Sequence, residues 1–157
     1  MEACVTVGSD FGSCTSMPAP LGQGVRVLVV EDDPVQALVL TLHLERLGVA
    51  AVHVGDGARA LDAVRSQDFA MVLMDVVMPL TSGIEATREI RSWEQASGRR
   101  RMPIVAVTAS AMHDECLTYV QAGMDEVLVK PFSARDLRDL VVRHLAAELR
   151  SQVLSAT

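Results

Sequence analysis

Four short apolar runs in this 157-residue chain stop at residues able to do chemistry. VRVLVV is followed by Glu31, Asp32 and Asp33, AMVLM by Asp75, PIVAV by Thr108, and VLV by Lys130. Acids brought together from separate strand ends would repel one another and take up protons unless a cation compensated them. Oxygen ligands alone, with no His or Cys at these ends, favour a hard ion such as magnesium, which keeps several waters and binds one or two carboxylates. A carboxylate beside such an ion can attack a phosphoryl donor and hold the product as an acyl phosphate. Asp75 is the candidate nucleophile. Lys130 could reach one phosphoryl oxygen, the Thr108 hydroxyl could donate to another, and the small Ala109 leaves room for the group.

The elements that must position these residues follow from local pattern. Val25–Val30 is mostly β-branched and apolar, as expected of a strand buried on both faces. Asp33 suits a helix N-cap and Pro34 its first position; Leu38, Leu42, Leu44 and Leu47 continue the helical spacing for about four turns until Gly48. Val49–Val54 reads as a second strand, GDG as a turn and ARALDAVRS as a short helix. A strand from Ala70 to Met74 ends at Asp75. The loop VVMPLTSG, with Pro79 and Gly83, then leads into a helix marked by Ile84, Ile90 and Trp93. Pro103 opens a fourth strand, Ala111–Ala122 forms a helix closed by Gly123, and Val127–Val129 is the fifth strand. Ser133 caps a last helix with Leu137, Leu140, Val141, His144 and Leu145 on one stripe.

Strands joined by helical crossovers must run parallel. The expected fold is therefore α/β, a doubly wound five-stranded parallel sheet with helices on both faces. Its working site should lie outside the carboxyl ends of the strands, where the strand order reverses. Residues 1–24, rich in Gly, Ser, Thr and Pro, read as a flexible tail, 25–149 as the domain, and 150–157 as a short polar tail that frays.

Composition narrows the classes. Half of the residues are apolar and 22% are charged, which is a globular composition with one sizeable core. The net charge of −6 argues against a nucleic-acid surface covering the domain. No apolar run is long enough to span a bilayer and no signal-peptide pattern opens the chain, so a cytoplasmic location is expected. Cys4, Cys14 and Cys116 have no zinc-type spacing and are expected to be reduced. His43, His53, His113 and His144 lie on helices and one strand, away from the chemical strand ends, and are given structural roles. Arg99, Arg100 and Arg101 read as a solvated loop.

The strings VLVVEDDP, VLMDVVMPLTSGIEA, PIVAVTASA and AGMDEVLVKPFS resemble, in order and spacing, the four sequence blocks of response-regulator receiver domains of two-component signalling. The resemblance implies that Asp75 is the phosphoacceptor. It implies a magnesium ion held by Asp32, Asp75 and the Val77 backbone carbonyl, with Glu31 acting through water. It gives Thr108 and Lys130 phosphate-contacting roles, and Lys130–Pro131 looks like the family's cis peptide. The donor would be a phosphohistidine on a histidine kinase or a histidine phosphotransfer protein. The chain would then be a phosphoacceptor that assists its own phosphorylation and dephosphorylation, rather than an enzyme in the ordinary sense. GIEATREIR and VAVTASAM look most like receivers of hybrid sensor histidine kinases, and a stand-alone single-domain regulator is the alternative. Either would act on a protein target, with no direct nucleic-acid contact and no membrane insertion of this domain. Two positions depart from the family: Val127 stands three residues before Lys130, where many members carry an aromatic that moves with the threonine, and Asp33 is a third acid in the first loop, read as a helix cap ahead of a metal role.

Two other functions could use the same crevice. A flavin protein needs backbone N–H groups and hydroxyls after the first strand to cradle a phosphate, and EDDP would repel it. A haloacid-dehalogenase-like phosphatase would want its nucleophile and second acid two residues apart after the first strand, whereas Asp32 and Asp33 are adjacent.

Overall fold

The computed structural model of the protein describes residues 25–78 and 81–156. The leader read as a flexible tail, with Cys4 and Cys14, lies outside the described residues, as does Pro79. In chain order the elements are β1 (Arg26–Val30), α1 (Pro34–Arg46), β2 (Ala50–Val54), α2 (Gly57–Ser66) and β3 (Met71–Asp75). They continue as α3 (Gly83–Ser97), β4 (Ile104–Thr108), α4 (His113–Ala122), β5 (Glu126–Val129) and α5 (Ala134–Ala156). The expected α/β sandwich is present: all strand pairs are parallel, in the order β2-β1-β3-β4-β5.

β3 and β4 are buried along their whole length, which explains why their sequences show apolar runs rather than alternation. Odd and even positions feed two separate cores. Val27, Val29, Leu73 and Val107 pack with Leu40 and Leu44 of α1 and Leu137, Leu140 and Val141 of α5. Leu28, Val30, Val72, Met74 and Ala106 pack on the other face with Ala60 and Val64 of α2, Ile90 of α3 and Tyr119 of α4. Each fully buried Leu or Ile contributes roughly 1.5–3 kcal/mol, and the three-layer arrangement repeats that gain on both faces of the sheet.

The helix ends obey the local chemistry. The Asp33 carboxylate accepts from the N–H groups of Val35 (2.8 Å) and Gln36 (3.4 Å), and Pro34 occupies the first turn. These backbone donors hold the Asp33 carboxyl below its ordinary pKa. Gly48 takes a left-handed conformation, φ 80°, just past the end of α1. Ser133 and Asp136 cap α5 reciprocally, each backbone N–H donating to the other's side chain at 3.0 Å.

Two elements differ from expectation. α4 starts at His113 rather than Ala111, and no side chain caps it at Met112. α5 runs to Ala156, past the boundary placed at 149; its sequence has neither Pro nor Gly to end it. The stripe on α1 also needs redrawing, because Ala37, Leu40 and Leu44 face the core while Leu38 and Leu42 face outward. Arg99 stacks over Trp93, 5.3 Å from the ring centroid, and pairs with Asp68, while Arg101 pairs with Asp125. This basic loop is therefore tied to the α2–β3 and α4–β5 connections.

Candidate functional site

Sheet order decides which strand ends meet. α1 carries the chain from β1 to β2 on one side, and α2 carries it back across β1 to β3, so the order reverses between β1 and β3. Val30 is in register with Met74, which sets Glu31 beside Asp75 one step further along. Asp75 is in register with Val107, and Thr108 with Val129, so Thr108 and Lys130 complete the same rim. Glu31, Asp32, Asp75, Val77, Thr108, Ala109 and Lys130 all line one open cleft of about 280 Å³, together with Asp33 and Gln36. Every residue singled out for the site from the sequence is thus gathered at one place.

Within the cleft, Glu31, Asp32 and Asp75 each offer a carboxylate oxygen, and these atoms lie within 4.8 Å of one another. Glu31 and Asp75 are only 1% and 6% exposed, whereas Asp32 faces solvent. Lys130 Nζ stands 3.3 Å from Glu31 Oε2 and 3.7 Å from Asp75 Oδ1. One ammonium against three acids leaves the group electron-rich. Burial, reinforced by the neighbouring Glu31 carboxylate, pushes the Asp75 carboxyl up to about 7. The residues therefore fit a hard divalent cation: two buried acids and one exposed acid converge, and all the donors are oxygen.

Local backbone geometry supports this arrangement. Asp75 Oδ1 accepts from the Val77 N–H at 3.3 Å, Glu31 Oε1 accepts from the Asp33 N–H at 3.2 Å, and the Lys130–Pro131 bond is cis. Gly83, the first residue of α3, lies so close to β3 that a Cβ there would come 2.2 Å from the Asp75 carbonyl oxygen. Only glycine lets α3 start at that distance from the acceptor strand.

Three residues around the site were not singled out from the sequence. Gln36 Oε1 accepts from Lys130 Nζ at 2.5 Å, and its amide nitrogen donates to Asp33 Oδ2 at 3.3 Å. The D-x-x-Q spacing is a capping-box signal that marks Gln36, but not its reach to Lys130. A ring nitrogen of His53 lies 2.8 Å from the Glu31 carbonyl oxygen, so this histidine braces the site's backbone from β2. The Tyr119 hydroxyl lies 3.4 Å from Thr108 Oγ1. Neither of these two contacts has a local signal.

Known proteins resemble this chain in sequence and in fold. The response regulator receiver domain family matches residues 27–142. The sensor protein GacS of Pseudomonas syringae pv. syringae is 41% identical over 145 residues, covering 92% of this chain and 15% of that protein. The transcription factor SKN7 of Saccharomyces cerevisiae is 36% identical, covering 80% of this chain and 19% of the factor. The chain thus spans under a fifth of the length of these relatives. Among solved structures, the receiver domain of the sensor histidine kinase PA1611 from Pseudomonas aeruginosa, with magnesium coordinated in its active-site cleft, superposes with a TM-score of 0.71. It is 36% identical, and the alignment covers 78% of this chain and 98% of that one. With strand order, acidic cleft and strand-end lysine all in agreement with this likeness, the chain belongs to the response regulator receiver domain family of two-component signalling.

Proposed function

We propose that Asp75 accepts a phosphoryl group from a phosphohistidine, with magnesium held by Asp32, Asp75, the Val77 carbonyl and, through water, Glu31. The observation that carries this reading is the convergence of three carboxylates within 4.8 Å beside Lys130. Bound magnesium would neutralise charge on the transferring group and keep Asp75 ionised. An Asp75 oxygen attacks phosphorus, the new P–O bond forms, and the P–N bond to the donor imidazole breaks with its electron pair staying on nitrogen. Lys130 and the Thr108 hydroxyl donate to phosphoryl oxygens, while Ala109 keeps the rim open. The chain is then a phosphoacceptor that passes on a signal through its surface.

A protein donor must cover the mouth of the cleft to bring its imidazole to Asp75. The outer stripe of α1 supports such docking: Val35 and Leu38 are 68% and 57% exposed, Val39 and Leu42 continue it, and the helix begins at the cleft. The donor is a histidine kinase or a histidine phosphotransfer protein. Identity with GacS supports an origin in a hybrid sensor kinase over a stand-alone regulator. The domain works in the cytoplasm; none of the helices, among the described residues, is long and apolar enough to cross a membrane.

Intact-mass spectrometry after incubation with acetyl phosphate tests the acceptor. A single phosphoryl adduct is expected with magnesium, none with chelator, and none in Asp75→Asn. An adduct of equal yield on Asp75→Asn would overturn the assignment.

A further inference from the structure

Tyr119 is the single tyrosine of the chain, and it is 4% exposed on the sheet-facing side of α4. Its hydroxyl donates to the Ser110 carbonyl at 3.2 Å and lies 3.4 Å from Thr108 Oγ1, which in turn accepts from the Ser110 N–H at 3.2 Å. Each hydroxyl has one proton to donate. With the Tyr119 proton on the Ser110 carbonyl, the contact between the two hydroxyls is made only if Thr108 donates its own proton to Tyr119. A phosphoryl oxygen on Asp75 that takes the Thr108 proton leaves Tyr119 without that donor. Tyr119 must then either turn its proton to Thr108 and release the Ser110 carbonyl, or part from Thr108. Buried as it is, it has little water to make up the loss.

We propose that Tyr119 is the positioning residue through which a phosphoryl group on Asp75 is reported to the β4–α4 loop and to α4. The proposal rests on Asp75 being the acceptor. On β5, Val127 packs against the same core, and its side chain carries no polar atom that could take the Thr108 proton. Ser110 extends the path, because its hydroxyl donates to the Glu115 carboxylate in the first turn of α4. The contact thus links the site to a helix end that has no side-chain cap of its own.

The test uses the 157-residue chain with 3-fluorotyrosine at its one tyrosine, phosphorylated with acetyl phosphate and magnesium, with the adduct counted by intact mass. The single fluorine resonance is expected to shift with the adduct, and to shift far less in Thr108→Ala compared at equal adduct. The natural chain is expected to change its amide exchange over residues 109–116 by roughly tenfold on phosphorylation, and Tyr119→Phe, which keeps the ring in the core, is expected to lose that change. An adduct that leaves the resonance unmoved, or a Tyr119→Phe protein with the full exchange response, overturns the coupling and leaves the acceptor reading standing. Absence of any adduct overturns the acceptor reading, and the coupling with it.

Discussion

As the proposed acceptor, Asp75 has two conflicting demands to meet: burial, to hold an acyl phosphate away from water, and ionisation, to attack phosphorus. Burial first, and then the adjoining Glu31, raise its carboxyl from the ordinary 3.8 to about 7. Without a divalent cation, the folded chain therefore holds this proton to higher pH than the unfolded chain does. The resulting stabilisation is fully present below about pH 4 and is lost as pH rises toward 7. Asp75→Asn removes the dependence. In chelator, urea unfolding is expected to show the variant gaining on the natural chain between pH 4 and 7, and exceeding it at pH 8 by on the order of 2 kcal/mol. A constant difference across that range would mean that Asp75 ionises normally. At this scale Asp75, Asp32, Thr108 and Lys130 were legible because each stands where an apolar strand stops. Gln36, His53 and Tyr119 were not, because their roles come from partners on other elements.

At the scale of elements, two close fits matter. The first is α3 against β3, where Gly83 leaves no space for a side chain beside the Asp75 carbonyl. Gly83→Ala must move backbone against backbone, and a loss of about 2–3 kcal/mol in thermal or urea unfolding is expected; an unchanged midpoint would show that α3 can back away freely. The second is α1, which has two apolar stripes. Ala37, Leu40 and Leu44 are buried, and Val35, Leu38, Val39 and Leu42 are left outside. Leu38→Asp should slow phosphoryl transfer from a phosphorylated histidine phosphotransfer protein by at least about tenfold, as expected for an interface anchor. Labelling by acetyl phosphate should stay as it was, since that donor needs no docking. Equal slowing with both donors would mean that the substitution damages the cleft itself.

For the whole molecule, the net charge of −6 includes three acids concentrated at one end of the sheet. Any cation that binds only the folded chain stabilises it by mass action, about 1.4–2.7 kcal/mol when its concentration is 10 to 100 times the dissociation constant. Added magnesium should raise the midpoint of thermal unfolding by several degrees, and Asp32→Ala should lose most of that gain. A full gain in Asp32→Ala would put the ion elsewhere on the surface. Asp32 suits this comparison because it is exposed and its removal leaves both cores intact.

The order of elements, their parallel pairing and the chemical character of each strand end were determined by the sequence alone. Each depends on neighbours within a turn of helix or a few residues of strand: the apolar runs, Asp33 with Pro34, and glycines past helix ends. Tertiary structure decided what lies beside what. The order β2-β1-β3-β4-β5 and its register set Glu31 against Asp75 and Lys130 within reach of both. The same packing chose which stripe of α1 to bury and put the Tyr119 hydroxyl beside Thr108. Such choices are made by the fit of whole surfaces, and periodicity along one element carries no record of the surface it will meet.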